Sequence, residues 1–302
     1  MPSILWTGRL SPILKSLVNF SNVLAWITGN ARDTASMKQR MKKGYDGSAT
    51  ADVTRYDELG LTHYTAIAKS LLEETALQGL SVLDIGCGTG ILSLLALGHG
   101  ATRVICADLS DYMLTQCKNK ASALGYKPSQ IIFRQLDAES LPFDNGTFDA
   151  VISGMVLGLM PNQKKALDEM VRVIKSGGTL SISTHGPDLY FEACEATFKA
   201  MPKSAVLGYR VEFWPRQEKQ VSRMFSNAGL VDVRTRRLTW KEHFDDGRKA
   251  YEYFACTSSA WWYSKYTPDK VEILSQRVRA AFERRNITEI TTDAVLAYGR
   301  KP

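Results

Sequence analysis

The residues best suited to chemistry lie in one short stretch, Val82-Leu83-Asp84-Ile85-Gly86-Cys87-Gly88-Thr89-Gly90. A buried-strand run leads into it and an apolar helical run leaves it, so the glycines sit where a strand turns into a helix. Glycine lets the backbone approach a ligand closely, and the following helix offers free N–H groups and the positive end of its dipole. A GxGxxG spacing would suggest a dinucleotide. Here the third glycine comes one position early and position 91 is Ile, which disfavours a nicotinamide dinucleotide. Asp84 is a second departure from that fingerprint. Its carboxylate could orient the turn and face a cationic amine of the ligand.

The elements that must position this turn follow from the pattern past residue 80. Strands are expected at 81–85, 103–107, 131–135, 148–153 and 179–184, and helices at 91–97, 111–124 (capped by Asp111), 162–174 and 217–228. Turn chemistry at Asp144-Asn145-Gly146 and Lys175-Ser176-Gly177-Gly178 separates them. Strand–helix alternation of this kind implies an α/β fold, a doubly wound, mostly parallel sheet with helices on both faces.

VLDIGCGTG followed by VICADLS resembles the cofactor-binding half of class I S-adenosylmethionine (SAM) dependent methyltransferases, in particular the small-molecule group that includes the quinone-biosynthesis enzymes. The resemblance spans roughly residues 45–237 and resumes in AVLAYGRKP. It implies a Rossmann-like seven-stranded sheet, SAM as cofactor and a set of site residues. Gly86, Cys87, Gly88 and Gly90 would cradle the ligand. Asp108 would bind ribose hydroxyls, and Leu109 and Met113 would pack near adenine. Asp137 and Ala138, in QLDAESLPF, would read the adenine amino group, while Ser153 and Met155, in FDAVISGMVLGLM, would lie next to the methyl group. Tyr45-Asp46 and Tyr56-Asp57 resemble an amino-terminal element whose tyrosines could close over the cofactor. Each residue also has a plainer reading. The glycines could be turn residues, Asp108 a helix cap, Asp137 a turn acid, Ser153 a hydroxyl satisfied by backbone and the tyrosines surface residues.

The chain departs from the pattern where a base would be assigned. Many relatives carry a histidine or acid near Gly158-Leu159-Met160, and this chain has neither. It also lacks the Pro-Pro pair of amino-group methylases, which argues for a small acceptor over DNA or protein. His185, after the fifth strand, is the one candidate general base, needed only if the nucleophile arrives protonated. Insertions near 186–216 and 240–290 hold Phe191, Tyr209, Phe213, Trp214, Phe244, Tyr251, Tyr253, Phe254, Trp261, Trp262 and Tyr263. They would either line a pocket for a flat or apolar acceptor or form the core of their own cap.

The 302 residues suffice for one or two domains that need no staple. We expect an extension at 1–44 and a methyltransferase domain at 45–302. Five scattered cysteines (Cys87, Cys106, Cys117, Cys194, Cys256) without a CxxC pair argue against a disulfide scaffold or zinc ribbon, so no metal is expected and a reducing, cytoplasmic setting fits. The net charge of +7 sits mostly in the carboxy-terminal third, around Arg234, Arg236, Arg237 and Arg277 to Arg285, and reads as a solvated face; no nucleic-acid partner is expected. No acid precedes Asp33, and the apolar residues 4–28 fit a lid helix, an interfacial membrane helix or a cleaved targeting segment. A small-molecule methyltransferase is the leading function. A SAM-fold protein without catalysis comes second and an NAD-linked oxidoreductase third.

Overall fold

The computed structural model describes residues 34–46, 56–200, 215–263 and 268–302. Residues 1–33, on which the expectations for the amino-terminal segment rest, lie outside them, as do Tyr209, Phe213 and Trp214. Among the described residues, no helix is long and apolar enough to cross a membrane.

In chain order the elements are α1 (Thr34–Tyr45), α2 (Tyr56–Leu72), β1 (Ser81–Ile85), α3 (Ile91–Gly98), β2 (Arg103–Asp108), α4 (Asp111–Ala123), β3 (Ile131–Gln135), β4 (Phe148–Gly154), α5 (Gln163–Val173), β5 (Ile174–His185), α6 (Phe191–Ala200), α7 (Glu218–Asn227), β6 (Val231–His243), α8 (Gly247–Tyr263), α9 (Pro268–Arg284) and β7 (Glu289–Arg300). The seven strands form one sheet in the order β3-β2-β1-β4-β5-β7-β6. β1 to β5 run parallel, whereas β7 pairs antiparallel with both β5 and β6. The chain winds outward from β1 to β3, then crosses back to β4 on the other side. That reversal opens a crevice beyond the carboxyl ends of β1 and β4, where ligands bind in open α/β sheets.

The central strands are buried on both faces, so they read as continuous apolar runs rather than alternating ones. One core joins α2, α3, α4, α6, α8 and α9 to the sheet, and the other joins α5 and α7. Helix starts follow local chemistry. The Ser110 side chain accepts from Met113 N and caps α4, so the cap is Ser110 and not Asp111. Asn162 caps α5 by accepting from Lys165 N at 3.0 Å. β5 begins earlier than expected because Ile174 pairs with Phe148 before the Lys175-to-Gly178 turn, which the sheet absorbs as an irregularity between Phe148 and Ala150.

The inserted aromatics whose side chains are described belong to the cap core. Phe254 stacks on Phe282 at 5.7 Å between α8 and α9, and Tyr253 and Phe254 are each at most 3% exposed. Phe191, Phe244 and Tyr251 pack against the same cluster. The side chains of Trp261, Trp262 and Tyr263 lie outside the described residues.

The arginine run on β6 is paired rather than merely solvated. Arg236 meets Glu74 at 3.0 Å, and Arg234 also reaches Glu74 while lying over the Tyr298 ring. Arg237 donates to Asp293 through Nε at 2.9 Å and Nη2 at 2.7 Å. Asp293 is fully buried and also accepts from Thr239 Oγ1 and Asp188 N, tying β6, β7 and the turn after β5 together. Removing one member of a buried ion pair costs about 3–5 kcal/mol. Arg237 keeps Asp188 and some water, so Asp293→Ala should fall at the low end, about 3 kcal/mol, in urea unfolding. A loss below about 1 kcal/mol would show that the knot is not structural.

Candidate active site

The site is built on the turn that leaves β1. One carbonyl, that of Ala107 on β2, accepts from both Gly86 N (2.7 Å) and Cys87 N (3.0 Å). Asp108, at the end of β2, then accepts from Gly88 N through Oδ2 and from Ser110 N through Oδ1, both at 2.9 Å. The latch requires left-handed backbone at Gly86 (φ 68°) and Gly88 (φ 54°). A Cβ at Gly86 would also lie 2.5 Å from Val156 Cγ2, whereas at Gly88 it would meet open space. Gly86 is therefore fixed by packing as well as by its φ, and Gly88 by its φ alone. α3 starts at this turn with Gly90 as its cap and no side-chain cap bond, so its first N–H groups stay available to a ligand.

A cavity opens over this turn. Of the residues expected from sequence, Tyr45, Asp84, Gly86, Cys87, Gly88, Asp108, Leu109, Met113, Asp137, Ala138, Met155 and His185 line it. Gly90 does not; its Cβ position lies 2.4 Å from Cys117 Sγ, so that glycine serves the contact between α3 and α4. Ser153 is also absent from the lining. Its buried Oγ donates to Ile85 O at 2.8 Å and joins β4 to β1, the backbone-satisfied reading. Tyr56 begins α2, and its side chain is outside the description.

The floor of the cavity is acidic. Asp84 is fully buried; its Oδ2 accepts from Ser93 Oγ at 2.5 Å, and its Oδ1 has no partner among the described residues. Burial pushes its carboxyl well above the usual range, with Cys106 and Asp108 adding to the effect. Burial also raises Asp108, against the backbone N–H groups that favour its charged form. An orphaned carboxylate oxygen on a cavity wall suits the ammonium group of a ligand. Asp108 retains lone pairs for hydroxyls. These residues fit SAM.

α1 roofs the cavity. Lys38, Met41, Lys42 and Tyr45 all line it, and their i, i+3, i+4, i+7 spacing places them on one helix face. Lys38 Nζ meets Asp137 Oδ2 at 2.6 Å and Glu139 Oε2 at 2.7 Å, while Ser110 Oγ donates to Asp46 Oδ1 at 2.7 Å. Asp137 is thus held by the roof helix, its other oxygen accepting from Glu139 N. Sequence reasoning missed Lys38, Met41 and Glu139, although the one-faced spacing in α1 was a usable signal.

The remaining wall comes from β4, β5 and α2. Tyr64 and Ile67 line it from α2, together with Met155, Leu159, Met160, His185 and Tyr190. Met155 (φ 58°) and Tyr190 (φ 57°) are left-handed without being glycine, at a cost of about 1–3 kcal/mol each. Each is held in place. Met155 N donates to Ser183 O and Oγ, and Tyr190 N donates to Thr291 O. His63, behind this wall, lies 3.4 Å from Tyr190 Oη.

Burial lowers both His63 and His185 from 6.5 to about 3, with Arg216 and His63 adding to the effect at His185. The unfolded chain therefore binds protons that the folded chain refuses. The stabilising contribution is complete above about pH 6.5 and is lost as the pH falls toward about 3. Each histidine adds a slope of up to about 1.4 kcal/mol per pH unit. Urea midpoints measured between these limits should fall on acidification, and less steeply in His63→Gln. An unchanged slope in that variant would show that His63 is charged in the folded protein.

The Methyltransferase domain family matches residues 83–182. An uncharacterised protein of Mycobacterium tuberculosis is 31% identical over 186 residues, covering 59% of this chain and 66% of that protein, just under two thirds of its length. Demethylmenaquinone methyltransferase from Clavibacter sepedonicus is 32% identical over 176 residues, covering 53% of this chain and 69% of the relative. The YcgJ protein of Bacillus subtilis shares the fold, with a TM-score of 0.54 at 19% identity over 80% of this chain and 98% of that one. So does phosphoethanolamine N-methyltransferase 2 of Haemonchus contortus in complex with S-adenosyl-L-methionine, with a TM-score of 0.55 at 15% identity over 87% and 60%. With the latched glycine turn, the acid at the end of β2 and the strand order of the sheet, these matches show that the chain belongs to the class I SAM-dependent methyltransferases.

Proposed function

We propose that the protein transfers a methyl group from SAM to a small, largely apolar or aromatic acceptor. One observation carries the reading: a single cavity runs from the Asp84 and Asp108 carboxylates and the glycine turn to a wall of Tyr64, Ile67, Met155, Leu159, Met160 and Tyr190. Polar groups gather at the ends of β1 and β2, and apolar ones face β4 and α2. The Clavibacter relative is named for demethylmenaquinone, and a flat, apolar acceptor of that kind suits such a wall.

When bound, SAM supplies a methyl group on a sulfonium, electrophilic without further activation. Asp84 offers its open oxygen to the cofactor's ammonium group, and Asp108 offers its carboxylate to the ribose. Lys38 and Tyr45 close the roof and exclude water. The wall holds the acceptor in line, and placement supplies most of the rate. His185 changes role here. An imidazole lowered to about 3 is neutral at physiological pH and is too weak a base to take a proton efficiently. It therefore orients the acceptor by hydrogen bonding.

The reading is tested by incubating the protein with labelled SAM and a panel of phenols, quinols and amines. Label should pass to an apolar aromatic member of the panel. Transfer only to polar amines would overturn the acceptor class, and a rise in melting temperature with NADH but not SAM would overturn the cofactor.

Asp108→Ala removes charge-assisted hydrogen bonds worth about 1.5–3 kcal/mol each. Calorimetry should show SAM affinity reduced at least tenfold. Unchanged affinity would remove Asp108 from the cofactor site.

His185→Ala should raise the KM for the acceptor and lower turnover by the same factor from pH 6 to pH 9. A loss that shrinks as pH rises would restore the base role.

A further inference from the structure

Three of the five cysteines converge beneath the glycine turn. Cys87 belongs to the turn, Cys106 to β2 and Cys117 to α4, and their sulfurs all lie within 4.8 Å of one another. All three are buried, Cys106 and Cys117 fully. A thiolate bonds a d10 ion at about 2.3 Å, which places three sulfurs about 4.0 Å apart in a trigonal site and about 3.8 Å apart in a tetrahedral one. The sulfurs are thus within about 1 Å of ligating separations, a change that side-chain torsions can supply without moving the sheet.

The thiols adjoin polar groups of the turn and open on the cavity. Cys106 Sγ lies 3.1 Å from Ser93 Oγ, which in turn donates to Asp84. Cys87 precedes Gly88, whose N–H meets Asp108. Cys87 also lines the cavity, so an ion has a path from solvent. An all-sulfur donor set selects soft ions over Mg²⁺ or Ca²⁺.

We propose that Cys87, Cys106 and Cys117 form a three-thiolate site for a soft d10 cation such as Zn²⁺ or Cu⁺. Each metal–sulfur bond formed releases one thiol proton to solvent, and nothing is oxidised or reduced. The site is independent of the methyl acceptor and of whether transfer occurs.

The test uses the full chain, reduced and stripped of metal, titrated with Cd²⁺ alone. The thiolate-to-cadmium charge-transfer band should saturate at one ion per chain, with the intensity and proton release of three thiolates. Cys106→Ser and Cys117→Ser should weaken binding at least tenfold, and Cys256→Ser should leave it unchanged. Circular dichroism and SAM binding of the metal-free variants report whether they fold; if either fails, the thiolate count in the unaltered protein decides alone. In parallel, Zn²⁺ should raise the melting temperature of the parent protein and not that of Cys106→Ser. A band of two thiolates or fewer, less than one ion per chain, or equal affinity in a folded Cys106→Ser would overturn the proposal.

Discussion

The Ala107 carbonyl and the Asp108 carboxylate, consecutive on β2, hold the turn that leaves the neighbouring strand. Everything at the site depends on that latch. It fixes Gly86, Cys87 and Gly88 in a turn that needs left-handed backbone at the two glycines, and aims the start of α3 into the crevice. The parallel register of β1 with β2 makes it possible, since Ile85 lies opposite Ala107 where β1 ends. A slip of one residue would separate the donors from their acceptors and turn Asp84 off the cavity floor.

Around the latch, the fold divides its work between the two sides of the strand-order reversal. Near the ends of β1 and β2 stand buried Asp84 and half-buried Asp108, acids that suit a cationic, hydroxyl-bearing cofactor. Met155, just after β4, and His185, the last residue of β5, face the same cavity with an apolar side chain and a neutral imidazole. α1 crosses above and is anchored by Lys38 to Asp137 and Glu139. Two strained residues, Met155 and Tyr190, stay strained because backbone bonds from different elements hold each one. Such strain at a cavity wall is consistent with a site whose geometry is set before the ligand arrives.

Much of this was legible in the sequence, because β1, β2 and β4 leave continuous apolar runs, and β1 runs into the glycine turn, β2 to the Ser110 cap and β4 to Gly154. β1 and β3 match the expected ranges, and the glycine spacing already argued against a dinucleotide. What stayed hidden depends on long-range contacts. Nothing local tells that Lys38 will reach Asp137, or that Cys87, Cys106 and Cys117 will meet from a turn, a strand and a helix. Ser153 could be read two ways, and only the position of Ile85 O across the sheet decides. The inserted aromatics could be read as pocket lining or as cap core, and the described ones are core because α8 and α9 need one of their own. The cavity takes its tyrosines from α1, α2 and the turn before α6 instead.

Hydrogen exchange with and without S-adenosylhomocysteine, the demethylated product of SAM, tests the central claim most directly, since the latched turn and its roof should bind that ligand together. The account predicts added protection at the amides of residues 86–90 and across α1, with none on β6 at the far edge of the sheet. Protection absent from the turn, or produced there equally by NADH, would contradict it.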